Sequence, residues 1–166
     1  MAEQSVEIGF KSVVSALAAA LKPLGFAKRG TKFRRGDTNV QLIEFQRSNS
    51  SDATSIKFTL NFGVVSVRAL LRLDPEAKVA KSGILDAHLS ERIGLLSEER
   101  AERWWRIDNQ TDELAIGSDV IERVMTEALP WLQQYSSDEE LVALWKSGRS
   151  PGLTEGQRIR YLAALS

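Results

Sequence analysis

With 166 residues, 43% of them hydrophobic and 27% charged, the chain has the size and composition of one globular domain, 1–166, which excludes the disordered, collagenous and membrane-bundle classes. Lys plus Arg and Asp plus Glu both number 22, so no net charge directs the chain to nucleic acid or an anionic lipid surface. Zero Cys removes disulfide and thiolate chemistry, and a single His leaves a metal site only carboxylates to complete it.

Val6, Phe10, Val13, Val14, Leu17, Leu21 and Leu24 recur at steps of three and four and predict an amphipathic helix over residues 4–22, which Pro23 and Gly25 end. Ser12–Leu21 has the length of a signal-peptide core, but the segment before it sets Glu3 and Glu7 against Lys11 alone, the reverse of a secretory flank. No apolar run approaches the roughly 18 residues that span a bilayer, so a cytoplasmic protein is expected. The period then changes to two. Thr31–Arg35 and Asn39–Arg47 read as strands joined at Gly36-Asp37, and Ile56, Phe58, Leu60, Phe62 and Val64 alternate with polar residues along a third. Residues 66–86, broken by Asp74-Pro75-Glu76 and Lys81-Ser82-Gly83, read as a long excursion with a short helix near Val67–Leu71.

His88–Leu95 and Arg103–Ile107 read as two more strands. Ser118 then caps a helix with the stripe Ile121, Val124, Met125, Ala128 and Leu129, which Pro130 kinks or restarts. Ser137-x-x-Glu140 and Thr154-x-x-Gln157 fit capping boxes for two last helices. The expected fold is α+β: an N-terminal helix, a mainly antiparallel sheet of about five strands, and C-terminal helices packed on one face. The Ile56–Val64 stripe should lie buried against Phe10, Leu17 and Leu21.

Gly148-Arg149-Ser150-Pro151-Gly152 matches the hydrolase pattern G-x-S-x-G but follows a helix, places Pro151 where an oxyanion-hole N–H is needed, and has its only His upstream; it reads as an interhelical turn. Gly25-x-x-x-x-Gly30-Thr31-Lys32 resembles a phosphate loop with its last two residues reversed, yet a helix precedes it and a strand follows, so it reads as a cap and a turn. His88 reads as a bystander at a strand start. Gln46, Asn61 and Arg92 fall on central strands, where they either pair across strands or line a shared polar pocket. Neighbours in a strand point to opposite faces, so one of Trp104 and Trp105 should meet a helix layer and the other a groove, unless a second layer buries both.

The first 72 residues carry eleven Lys/Arg against five Asp/Glu, and the remainder eleven against seventeen. Lys28, Arg29, Lys32, Arg34 and Arg35 flank Phe26 and Phe33, a pattern seen where single strands stack, but a regular strand turns Phe33 away from Lys32 and Arg34. Nucleic-acid binding is therefore not expected.

Leu21-x-x-Leu24-Gly25-Phe26-x-Lys28-x-Gly30-x-x-Phe33-x-Arg35, then Phe45-Gln46-x-Ser48 and Phe58-x-x-Asn61-x-Gly63-Val64, are followed by Arg92-Ile93-Gly94, Trp104-Trp105 and Ala128-Leu129-Pro130-Trp131-Leu132. In this order and spacing, over residues 10–145, the motifs resemble a bacterial family catalogued as domain of unknown function 4304. The resemblance implies a small α+β domain and brings no catalytic residue, metal or cofactor. Related small bacterial domains are often encoded beside toxins as immunity proteins. The missing catalytic constellations and the charge difference between the halves favour a non-enzymatic protein-binding module without membrane association, and the resemblance implies a toxin-like partner, with the chain as its immunity protein. A small-ligand or nucleotide-binding domain is the alternative. Arg34, Gln46, Asn61, Arg92 and Trp105 are the candidate binding residues.

Overall fold

The computed structural model describes residues 2–166, with side chains from Ser5 onward. Helix α1 (Ala2–Leu21) is followed by β1 (Ala27–Arg29), β2 (Lys32–Arg35), β3 (Asn39–Arg47) and β4 (Ser55–Ser66), then by α2 (Val67–Leu73). Two single-turn segments, Val79–Lys81 and Ile84–Asp86, lead to β5 (Leu89–Arg92) and β6 (Trp105–Asp108). Helices α3 (Glu113–Arg123), α4 (Leu129–Gln134), α5 (Asp138–Ser147) and α6 (Glu155–Leu165) complete the chain. The architecture is α+β, with one antiparallel sheet ordered β1-β2-β3-β4-β5 and β6 sharing the β4 edge with β5.

The sheet has six strands, one more than expected. The extra one, β1, lies inside the basic run and is exposed throughout, so no alternation of apolar residues announces it. It forms because Gly30, at φ 63°, turns the chain back so that Arg29 pairs with Lys32. On the far side, β5 pairs with Asn61–Val64 and β6 with Ser55–Phe58, so the two continue one another along β4. The segment between them is looped out and closed by the Arg103 amide donating to the Ile93 carbonyl at 3.0 Å. Gly94, at φ 99°, makes that closure possible, since a Cβ there would lie 2.2 Å from the Ala101 carbonyl oxygen.

Ile56, Phe58, Leu60, Phe62 and Val64 are all buried on one sheet face, in one apolar cluster with Phe10, Leu17 and Leu21 of α1 and with residues of α3 to α6, the packing expected from the alternation. The third helix begins earlier than expected. Asp112, not Ser118, is its cap, because the Asp112 carboxylate accepts the Leu114 and Ala115 amides at 3.1 and 3.2 Å. Pro130 does not break the helix: one π turn, Val124–Ala128, precedes it and accommodates the missing N–H. Ser137 and Thr154 cap α5 and α6 as their spacing implies, and Gly148, at φ 72°, ends α5 in the turn that carries G-x-S-x-G.

The opposite sheet face is only half covered. At one end Val40, Leu42 and Val65 pack under Val67, Leu70, Val79, Ile84 and Ala87 of the 66–88 excursion. Gly63 lets that layer approach, since a Cβ would stand 3.0 Å from Ile84 Cδ1. Among the described residues no helix is long and apolar enough to cross a membrane.

Candidate functional site

This second face carries one row of side chains across five strands, covered at Glu44 by the 83–84 turn and open towards Arg92. Arg29 pairs with Lys32, Lys32 with Glu44, Glu44 with Asn61, and Asn61 with Arg92, so period-two alternation turns all five outward from the main core. Towards the Arg92 end the row joins Gln46. The Asn61 amide donates to Gln46 Oε1 at 2.7 Å, while Arg92 donates to Gln46 Oε1 at 3.1 Å and to Asn61 Oδ1 at 3.3 Å.

The 93–104 loop adds two groups. Glu102 accepts from Arg92 Nη1 at 2.8 Å and from the Trp104 indole at 3.2 Å, and these donors, the indole first, hold its carboxyl below the usual range. The half-buried Trp104 ring lies 5.2 Å from the Lys57 ammonium and 5.4 Å from the Arg92 guanidinium. The loop itself is tied down by Glu127, whose carboxylate accepts the Gly94 amide at 2.9 Å and the Leu96 amide at 3.2 Å.

Three of the five residues singled out in the sequence, Gln46, Asn61 and Arg92, therefore meet, and they bond to one another across strands. None of these three lines the clefts on the surface, whereas Arg34 lines one beside the 80–83 turn. Arg34 shares the face but donates to the Ala80 and Val79 carbonyls at 2.7 and 2.9 Å, holding the 79–82 turn against the sheet. Trp105 lies on the other face, 3% exposed and stacked on Phe58 at 5.6 Å; its indole donates to Asp119 at 2.7 Å. The outward tryptophan is Trp104. Phe26 and Phe33 are buried, so neither ring is free to stack a base.

Glu44, Lys57 and Glu102 were not among the residues singled out in the sequence, and Trp104 was weighed there as the alternative to Trp105. Glu44 and Lys57 were within reach, because Glu44 shares Gln46's face at a spacing of two and Lys57 shares Asn61's at a spacing of four. Glu102 reaches Arg92 through a loop, for which sequence carries no periodic signal.

His88 stands at the entry to β5, and its contacts are structural. It is buried, its Nδ1 accepts the Ser66 amide at 3.0 Å, and Tyr161 meets its ring edge-on at 4.9 Å. Burial pushes its imidazole down to about 4, against the pull of Asp138 and Asp86. Ser66, His88 and Asp138 form no nucleophilic triad: Ser66 Oγ is buried and donates to Asp138 at 2.7 Å, and the histidine touches the Ser66 backbone instead.

A family model described as Domain of unknown function (DUF4304) matches residues 17–134. The chain belongs to the DUF4304 family. The whole polar row, with Gln46, Glu102 and Trp104, falls inside the stretch that defines this DUF4304 domain, whereas α5, α6 and the Asp138 and Tyr161 neighbours of His88 fall outside it. No curated protein and no solved structure matches the DUF4304 chain.

Proposed function

We propose that this DUF4304 protein is a protein-binding module that holds a toxin-like partner on the open half of its sheet. The observation that carries the reading is the placement of Trp104. Its ring stands on a surface of strands between Lys57 and Arg92, above a floor whose polar groups already bond to one another. Such a floor offers few unsatisfied groups to a small ligand, which favours a macromolecular surface; Trp and Arg are the residues enriched where such surfaces bind most strongly. Arg106, paired with Lys57 across the β4–β6 ladder and exposed, adds a further cation, so the partner should present an acidic face.

The test is capture of a protein from the native host by the wild-type chain and by Trp104→Ala. Trp104 lies outside the apolar core, so the variant keeps its fold, and its affinity should fall by about thirtyfold or more, the loss typical of a central aromatic contact. A captured partner encoded beside this gene, whose toxicity the wild type blocks and the variant does not, would support the reading. Capture that is indifferent to Trp104→Ala and Lys57→Glu, or no partner and no toxin-like neighbouring gene, would overturn it.

A further inference from the structure

At the other end of the row, away from Trp104, the β1–β2 hairpin and the 80–83 turn enclose a cleft of about 520 Å³. Four cations line it, Arg29, Lys32, Arg34 and Lys81, against one carboxylate, Glu44. They come from three separate elements: β1, β2 and the turn. Little in the protein neutralises them. Arg34 donates to backbone carbonyls, which carry no formal charge, and among the described residues the Arg29 and Lys81 side chains make no hydrogen bond or ion pair. Glu44 is buried; its Oε2 accepts the Ile84 amide at 3.0 Å, and its Oε1 stands 3.9 Å from the Lys32 ammonium.

Walls of low polarisability around like charges focus their field into the cleft and draw in counter-charge. The Arg34 bonds to Ala80 and Val79 hold one wall in place before any ligand arrives, which lowers the ordering cost of binding. The volume lies within the roughly 300–1,000 Å³ of small-molecule sites. We propose that this cleft binds a small polyanion, either a phosphorylated or a polycarboxylate molecule. With Glu44 counted, one negative charge would leave most of the remaining positive charge unmatched; three would balance it.

Calorimetric titration of the full chain at low salt, with pyrophosphate and separately with citrate, tests the proposal. Saturable binding of either probe is expected, and the probe that binds identifies the ligand class. Lys81→Glu and Arg29→Glu change exposed side chains and should leave the thermal midpoint in place while weakening binding by about tenfold each. Glu44→Gln removes the one opposing charge and should tighten binding. Failure of both probes to saturate, affinity unchanged in both charge-reversal variants, or weaker binding in Glu44→Gln would each overturn the proposal. Trp104→Ala should leave this binding unaltered, which separates the cleft from the protein-docking surface.

Discussion

His88 should make the protein lose stability under mild acid. Burial holds its imidazole down to about 4, although Asp138 and Asp86 favour the charged form; the same group titrates near 6.5 when free. Between these values the unfolded chain binds a proton that the folded chain refuses, so stability falls as pH falls. The contribution of neutral His88 is complete above 6.5 and gone once pH passes below about 4. At about 1.4 kcal/mol per pH unit, the difference is worth roughly 3 kcal/mol of a total of about 5–15. Protonation also removes the Nδ1 lone pair that accepts the Ser66 amide, the bond through which the residue before β5 holds the junction of β4 and α2. His88→Asn keeps an acceptor near that position and cannot be charged.

Urea unfolding followed by tryptophan fluorescence, from about pH 7 to about pH 4.5, measures both proteins across the window where His88 dominates. The variant should start less stable, because the smaller side chain leaves space beside Tyr161, and its stability should then decline less with acid. Glu7, Asp52, Asp108 and Asp119, whose carboxyls titrate below their usual range, lose their stabilising effect at the acid end in both proteins. Glu91, raised by burial, acts with the opposite sign in both. Parallel profiles for wild type and His88→Asn would refute the assignment.

Phe58 is fully buried and touches the rings of Phe10, Phe45 and Trp105, so Phe58→Ala should lower stability by about 3–5 kcal/mol in the same assay; an unchanged midpoint would contradict the packing. Gly94→Ala sets a Cβ against the Ala101 carbonyl at a φ of 99° and should cost about 2–4 kcal/mol, read as a drop in the thermal midpoint. Arg34→Ala releases the 79–82 turn, and Val79 with it, while leaving the main apolar cluster intact. Limited proteolysis should then cut within 74–86 well before global unfolding, and cleavage no faster than in wild type would show that the bonds to Val79 and Ala80 do not hold the turn.

The elements with a strong local period were legible in the residue order. The α1 stripe from Val6 to Leu21, the β4 alternation and the Thr154 capping box each depend on spacings of two to four residues, and each folds as that spacing dictates, whereas Ser137 caps α5 without the reciprocal Glu140 bond and Leu24 lies exposed beyond α1. Local chemistry was also enough to read the G-x-S-x-G stretch as a turn, since a following Pro supplies no N–H wherever the chain goes. Tertiary contacts decided the rest. β1 became a strand because β2 had a free edge to pair with; the Asp112 cap, by contrast, was a local signal passed over for Ser118, since the amides it accepts lie two and three residues ahead. Trp104 and Trp105 must point to opposite faces in any strand, but which one turns outward depends on which face the helices cover. Lys32, Glu44, Asn61 and Arg92 are far apart along the chain, and only strand register aligns them. Register is set by burial of the opposite face, where shifting a strand by one residue would expose Phe58 and Phe62, so the polar row is fixed by the apolar side of the same strands.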